Sequence, residues 1–255
     1  MINVMDYPLL VFVLAALAMS LASWIGGALR KLPSQAREVD GAFHVVEGGT
    51  LTLLALIVGF TFSMAVNRYD LRKSREEVEA NTIGTEYLRA GLLPAADAAQ
   101  VRALISSYLD QRILFYTTRT PAAVREINAK TAQLQTEMWS AVQAAGTAQP
   151  SPVVALALSG MNDAIDAQGY TQAAWKNRIP VEAWGLMIAM TLCSSMMVGY
   201  HVRAARSKFS LLLVLPFTLS ISFFLIADID SPNGGTIRIN PENLISLAES
   251  LRASP

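Results

Sequence analysis

The sequence predicts an all-α membrane protein with four transmembrane helices and a helical bundle inserted between the second and the third. Of its 255 residues, 53% are hydrophobic and 16% are charged, and the mean hydropathy is +0.37. This composition is more apolar than that of ordinary soluble proteins. Four uncharged runs are each long enough to span a bilayer. Between the second and third runs, apolar residues recur at spacings of three and four, which is typical of packed amphipathic helices.

The first uncharged run covers the 22 residues from Pro8 to Leu29. A secretory signal peptide is the competing interpretation. No Lys or Arg precedes the run, Asp6 does, and the run is longer than the apolar part of a signal peptide. We therefore interpret it as a retained transmembrane helix, followed by a polar connector over residues 30–46.

The second run, residues 48–66, has 19 uncharged residues. As a helix it would be about 28 Å long, close to the thickness of a bilayer core. Charges begin at Arg68, yet no Pro or Gly lies between Phe60 and Ile83. The sequence therefore predicts one continuous helix that leaves the membrane and enters water. A conformational change in the part outside the membrane would then be transmitted mechanically to the part inside it.

The middle of the chain is predicted to hold amphipathic helices over residues 95–117, 121–145 and 153 to about 177. Thr120 is expected to cap the second of these, with Pro121 at its first position. On the preceding long helix, three pairs of opposite charge at four-residue spacing are interpreted as exposed pairs that keep the rod helical and soluble. These pairs are Arg72–Glu76, Lys73–Glu77 and Arg75–Glu79.

Two further membrane helices are predicted over residues 183–200 and 209–227, with Pro216 inside the last one. A tail with turn residues follows, and Asn240 is expected to cap a short amphipathic helix. Asp228 and Asp230 are weak candidates for a calcium site, because Ca²⁺ requires six to eight oxygen ligands. Solvated acids at a helix end are the favoured interpretation, and no metal or other cofactor is expected.

This pattern divides the chain into four segments. Residues 1–66 hold the first two transmembrane helices, and 67–180 form a helical extramembrane domain. Residues 181–227 hold the last two transmembrane helices, and 228–255 form the tail.

No sequence motif of a known enzyme class is present: there is no phosphate-binding loop, nucleophile elbow or zinc-binding helix. The two histidines, His44 and His201, lie in different predicted loops. The net charge of zero gives no indication of a nucleic-acid partner. We therefore expect a protein that is not an enzyme.

The run Leu56-Ile57-Val58-Gly59-Phe60, followed by Asn67-Arg68-Tyr69, resembles the second membrane helix of bestrophins, where Gly-Phe precedes an Arg-aromatic exit. Residues 47–70, 79–85 and 226–230 are similar to the bacterial bestrophin-like family. The resemblance covers nearly the whole chain.

The resemblance implies a homo-oligomer, a pentameric ion channel in a lipid bilayer, with inorganic ions passing a pore lined by five copies of the second helix. Its narrow neck would be formed by Thr52, Leu56 and Phe60, and its helix exit by Arg68 and Tyr69. Thr52 departs from the apolar pattern, so at most two apolar rings are expected. Neither the permeant ion nor calcium control carries over. Without the resemblance, an ordinary lipid-facing or core-facing role is the favoured interpretation of Leu56 and Phe60.

The sequence leaves alternatives open for the orientation in the membrane and for the function. The resemblance implies a bacterial inner-membrane protein with its middle domain and both termini in the cytoplasm. Basic residues in the two short loops favour the opposite orientation, with the middle domain outside the cell. Basic residues directly after the second helix favour a cytoplasmic middle domain, as the resemblance does. The loop residues are Arg30, Lys31, Arg37, Arg203, Arg206 and Lys208. An ion channel is the leading function, ahead of a membrane-anchored sensor or scaffold whose middle domain binds a partner or ligand, and of an unrecognised membrane enzyme.

Overall fold

A computed structural model describes residues 4–29, 40–202 and 209–253, and these contain helices and connecting segments but no strand. The all-α prediction is therefore confirmed for the described part of the chain. The six basic loop residues that favour the opposite orientation lie outside the described residues. The helices are α1 (Pro8–Leu29), α2 (Asp40–Arg89), α3 (Ala95–Thr117), α4 (Pro121–Ala148), α5 (Pro152–Lys176), α6 (Val181–Val202), α7 (Phe209–Asp230) and α8 (Glu242–Ala253), with short 3-10 helices at Val4–Asp6 and Ala90–Leu92.

Among the described residues, four stretches are long and apolar enough to cross a membrane, as the sequence predicts. Their most apolar windows have mean hydropathies of 2.3, 2.0, 1.5 and 1.8. These windows lie within Pro8–Leu29, Phe43–Leu92, Pro152–Tyr200 and Leu213–Asp230, respectively. In the second stretch the uncharged part is residues 48–66, and the charged residues from Arg68 onwards extend beyond it.

Helix α2 is the longest element, with 50 residues. Its continuity through the change from apolar to charged sequence is confirmed. Its start differs from the prediction, because residues 40–46 belong to the helix rather than to a polar connector.

The chain forms two compact units, and α2 contributes to both. The first comprises Met1–Arg68 and Arg178–Arg238, and the second comprises Tyr69–Asn177 and Ile239–Pro255. The four-segment division made from the membrane topology uses a different criterion and stays a prediction.

In the first unit, α1 packs closely on α6 at two glycines. A Cβ atom at Gly26 would collide with the Met196 carbonyl, and one at Gly199 would collide with the Ser23 backbone. Both positions therefore need glycine for the two backbones to approach. Aromatic edges add to the packing, with the Phe12 and Phe217 ring centroids 6.0 Å apart.

In the second unit, the core is built by α3, α4, α5, α8 and the charged half of α2. Its members are mostly aliphatic and fully buried, among them Ile83, Val101, Ile105, Leu134, Met138, Val142, Met161 and Leu244. Ser151 caps α5 by accepting a hydrogen bond from the Val154 amide at 3.2 Å. Thr120 occupies the predicted cap position of α4, but its side chain makes no capping hydrogen bond. Pro121 at the first position removes one of the four amide groups that have no partner within a helix at its start.

Candidate functional site

The uncharged half of α2 buries only one narrow face. Leu54, Thr61 and Ala65 on that face are 1%, 4% and 0% exposed. Thr61 satisfies its hydroxyl inside the helix by donating to the Ile57 carbonyl at 2.8 Å. The described residues of the chain leave the remaining faces of this half largely uncovered.

The three neck candidates lie together on an uncovered face. Leu56 is 52% exposed and Phe60 is 70% exposed, and Thr52 is exposed as well. Their spacing of four residues places them one above another along the helix. The Thr52 hydroxyl donates to the Gly48 carbonyl at 2.9 Å, so its hydrogen-bonding need is met within α2.

This exposure removes one of the two ordinary interpretations. Neither Leu56 nor Phe60 is a core residue of the single chain, because both are more than half exposed. What remains is that they face lipid or another copy of the chain.

The same face becomes polar immediately after Phe60. Ser63, Asn67 and Asp70 follow at steps of three and four residues, and all three are exposed. A carboxylate and an amide are costly against lipid but stable in water. One continuous face of α2 therefore presents two apolar side chains followed by a polar track.

The predicted helix exit does not join this face. Arg68 and Tyr69 are both half-buried. They lie eight and nine residues after Phe60, which rotates them by roughly 80° and 180° around the helix at about 3.6 residues per turn. The structure therefore separates the exit pair from the neck candidates.

In the charged half of α2, the prediction that the pairs of opposite charge are exposed is wrong for three of the six residues. Arg72, Glu76 and Glu79 are 1%, 1% and 0% exposed. Arg72 donates from Nε to the Ala174 carbonyl at 3.2 Å and from Nη2 to the Asn177 carbonyl at 3.1 Å. It thus satisfies carbonyl groups at the C-terminal end of α5, where a positive charge is also favoured by the helix dipole.

Glu79 is the centre of a buried polar cluster. Its carboxylate accepts hydrogen bonds from the Arg112 guanidinium, from the Tyr116 hydroxyl at 3.1 Å and from the Thr171 hydroxyl at 3.0 Å. Burial, followed by the negative charge of Glu79, raises the pKa of Tyr116 above its usual range. Burial lowers the pKa of Arg112, but the Glu79 carboxylate more than offsets this, so the pKa of Arg112 is raised and its guanidinium stays charged.

Glu76 connects α2 to the tail of the chain. Its carboxylate accepts from Asn243 Nδ2 at 2.7 Å and from the Leu244 amide at 3.0 Å. Both residues lie in the first turn of α8, whose amide groups have no partner within their own helix. A charged residue of α2 therefore caps α8.

The sequence matches the Bestrophin-like domain over residues 12–244, which is most of the chain. The chain belongs to the Bestrophin-like family. Bestrophins are ion channels, so the fold is of an ion-channel type. No protein of curated function matches this bestrophin-like sequence.

Solved structures show the same fold. A variant of a bacterial bestrophin homologue from Klebsiella pneumoniae has a TM-score of 0.66 at 11% identity, covering 95% of this chain and 97% of that one. A further crystal structure of that homologue has a TM-score of 0.60 at 12% identity, covering 94% and 98%. A crystal structure of a membrane protein has a TM-score of 0.57 at 14% identity, covering 93% and 98%. At these identities the likeness establishes the bestrophin fold alone.

The two acidic residues near the end of α7 are structural in this bestrophin-like chain. Asp228 and Asp230 are both 1% exposed, so the expectation of solvated acids beyond the helix end is wrong. Asp228 accepts from the Thr236 amide at 2.7 Å, from the Thr236 hydroxyl at 2.9 Å and from the Ile237 amide at 2.8 Å. The segment after α7 folds back over the helix end and supplies the donors that make burial of the carboxylate favourable.

Asp230 is used in the same manner. It accepts from Arg178 Nε at 2.9 Å and from the Ile179 amide at 3.2 Å. Arg178 also donates to Asp6 at 2.7 Å. Within the described ranges, no group of three or more His, Cys, Asp or Glu side chains is placed to hold a metal ion.

The buried charges of α2 are the residues that the sequence reasoning missed. A signal for them was present, because Arg72, Glu76, Glu79, Ile83 and Ala90 are separated by steps of three, four or seven residues. That spacing places the three charged residues on the same helix face as two core residues. Charges on a core-facing stripe indicate buried, paired groups rather than a solvated surface.

Proposed function

We propose that this chain is a homo-oligomeric ion channel, a pentamer as in bestrophins, whose pore is lined by α2. The observation that carries the proposal is the uncovered face of α2, where two large apolar side chains, Leu56 and Phe60, precede exposed polar residues. Membership in a family of ion channels supports it. The pentameric state and the neck come from the resemblance and are part of the proposal.

Leu56 and Phe60 act as the gate. Around a five-fold axis each residue contributes five side chains to one ring, and the rings lie about 6 Å apart along the helix. Water in such a short apolar neck is poorly hydrogen-bonded, so a narrow neck empties and blocks ions. Thr52 contributes a polar ring that does not take part in this barrier.

Beyond the neck, the polar track on the same face keeps the path wet. Ser63, Asn67 and Asp70 offer hydroxyl, amide and carboxylate groups to passing water and ions. Asn67 and Asp70 lie beyond the uncharged segment, where the proposed pore opens into water. Arg68 and Tyr69, half-buried on other faces of the helix, hold it where it leaves the bilayer.

The proposed orientation follows the bestrophin arrangement, with residues 67–180 and both termini in the cytoplasm of a bacterial inner membrane. An exposed position, Gln143, lies in this part. In a Gln143→Cys, Cys193→Ser variant, an impermeant maleimide should not label the protein in intact cells. It should label the protein after the cells are lysed. Labelling from outside would contradict the orientation.

Ion flux in liposomes tests the gate. Phe60→Ala widens the ring and Leu56→Ser wets it at similar size, so both should raise flux well above wild type. Thr52→Ser should change flux little. Phe62→Ala is the matched control, because Phe62 is 41% exposed but lies about 200° around the helix from Phe60.

The oligomeric state is measured on the same samples by native mass spectrometry, with five copies expected. If the variants stay assembled and flux remains at background in all of them, the channel proposal fails. A sensor or scaffold that acts through its helical middle part would then be the better account.

A further inference from the structure

One buried acid in the second unit takes no part in the proposed ion pathway. Glu86 on α2 is 0% exposed. Neither of its carboxyl oxygens has a hydrogen-bond partner among the residues that the structure describes. Glu76 and Glu79 are buried as well, but their carboxylates accept hydrogen bonds from charged or polar donors. Because a buried charge without hydrogen bonds is strongly unfavourable, Glu86 is far more stable in this place when it carries a proton.

The carboxyl group of Glu86 lies against α5 at Gly160. A Cβ atom at residue 160 would collide with Glu86 Oε2 and with Arg89 Nη1. Glycine therefore allows both side chains to reach the α5 backbone. At this point α2 meets α5 through the Glu86 carboxyl group and the Arg89 side chain.

Two charged groups act on Glu86 from the elements around it. Arg89 follows one turn later on α2, and Asp163 is presented by α5, with Arg89 Nη1 at 3.6 Å from Asp163 Oδ2. On α3, Arg102 donates from Nε to the Tyr87 carbonyl at 3.2 Å and lies over the Tyr87 ring. Burial raises the pKa of Glu86 to about 8, Arg89 opposes this, and Asp163 adds to it.

We propose that Glu86 is a proton-operated switch that sets how tightly α2 packs on α5 at Gly160. The neutral acid fills the space above Gly160. When the proton leaves to solvent, the carboxylate turns towards Arg89 and water. Arg89 then releases Asp163, and the contact between the two helices opens.

The regulatory consequence rests on the proposed function, because the helix that carries Glu86 also carries Leu56 and Phe60. The regulation that we infer is that opening beside Gly160 changes ion flux through this shared helix. The local opening itself does not require that the protein conduct ions.

The direction of the pH dependence follows from the raised pKa. The folded state holds the Glu86 proton more tightly than the unfolded chain, whose carboxyl has an ordinary pKa of 4.5. The contribution of Glu86 to folding stability is therefore greatest below that value and is lost as pH rises towards about 8. Above this pH the helix contact should be open.

Hydrogen–deuterium exchange on the full chain in nanodiscs tests the switch. Residues 153–168 are followed between about pH 6.5 and about pH 8.5, after correction for intrinsic exchange. The wild type should lose more than about ten-fold in protection, because the opening equilibrium rises about ten-fold for each pH unit as the pH approaches the raised pKa of about 8 from below. Glu86→Gln, which mimics the neutral acid, should show no change with pH.

Two further variants support the assignment. Glu77→Gln removes an exposed carboxylate of the same helix and should keep the wild-type pH dependence. Asp163→Asn removes a negative charge beside Glu86 and frees Arg89, so the midpoint should move to lower pH. This second variant leaves Glu86 in place and therefore decides the matter even if Glu86→Gln does not fold.

Protection that varies with pH equally in the wild type and in Glu86→Gln overturns the switch, as does an unmoved midpoint in Asp163→Asn. Ion flux at the same two pH values tests the regulation, which predicts a pH dependence that Glu86→Gln lacks. Flux that is present but identical at both pH values overturns the regulatory role. Flux absent from every sample contradicts the proposed function instead, and the exchange result still decides the switch.

Discussion

The two halves of α2 use opposite means of satisfying their side chains. In the charged half, Arg72, Glu76 and Glu79 are buried and hydrogen-bonded by other helices of the same chain. In the uncharged half, Leu56 and Phe60 are more than half exposed. The chain itself supplies hydrogen-bond partners for these three charged residues. Leu56 and Phe60 are instead left to contact lipid or another copy of the chain. A helix that is anchored at one end and uncovered at the other is suited to line a pore between copies of the chain.

The largest expected effect lies in the anchored half. Glu79→Ala leaves the Arg112 guanidinium buried without its counter-ion, which should reduce the unfolding free energy by about 3–5 kcal/mol. Thermal unfolding in detergent, followed by intrinsic fluorescence, measures this. Glu77→Ala, an exposed acid two residues earlier, should change stability by less than about 0.5 kcal/mol. Equal effects of the two substitutions would remove the contrast between buried and exposed charges.

A smaller effect is expected where α2 caps α8. Glu76→Ala leaves the Leu244 amide without its acceptor, at a cost of about 1–3 kcal/mol. The loss should be local, so hydrogen exchange in Glu242–Ala253 should accelerate more than in α4. Uniform acceleration across both helices would show that Glu76 stabilises the whole unit rather than the attachment of α8.

The smallest stability effect is expected in the uncovered half. Phe60→Ala removes a side chain that the chain itself leaves 70% exposed, so the unfolding free energy of the subunit should change by less than about 0.5 kcal/mol. Ion flux should nevertheless rise, because the apolar barrier is lost. A substitution that destabilises the subunit strongly and leaves flux unchanged would place Phe60 in the core, contrary to the structure.

Much of the helical fold could be predicted from the sequence, because Pro94, Pro121 and Pro152 mark boundaries and the uncharged runs set the membrane segments. Helix α3 was predicted with its observed bounds, and α1 likewise. Less predictable were the ends governed by contacts distant in sequence. Asp230 remains helical because Arg178 and the Ile179 amide, about fifty residues earlier, hold its carboxylate.

The candidate site was predictable to a different degree. The spacing of Thr52, Leu56 and Phe60 places them on one face, but only the structure shows that the chain leaves this face uncovered. The burial of Arg72, Glu76 and Glu79 could not be predicted from their spacing. A four-residue spacing of opposite charges is the same for exposed pairs and for buried groups with distant partners. The pairing of Glu79 with Arg112 spans 33 positions, and no local pattern reports it.

The orientation of Phe60 towards a pore is the central claim, and chemical modification during ion flux tests it most directly. Cys193 is exposed, so a Cys193→Ser background is needed. In that background, Phe60→Cys and Phe62→Cys are reconstituted in liposomes and treated with a water-soluble cationic thiosulfonate. Modification of Phe60→Cys should abolish flux, because a bulky group then fills the ring, whereas Phe62→Cys should conduct as before. Flux that persists in fully modified Phe60→Cys would contradict the account.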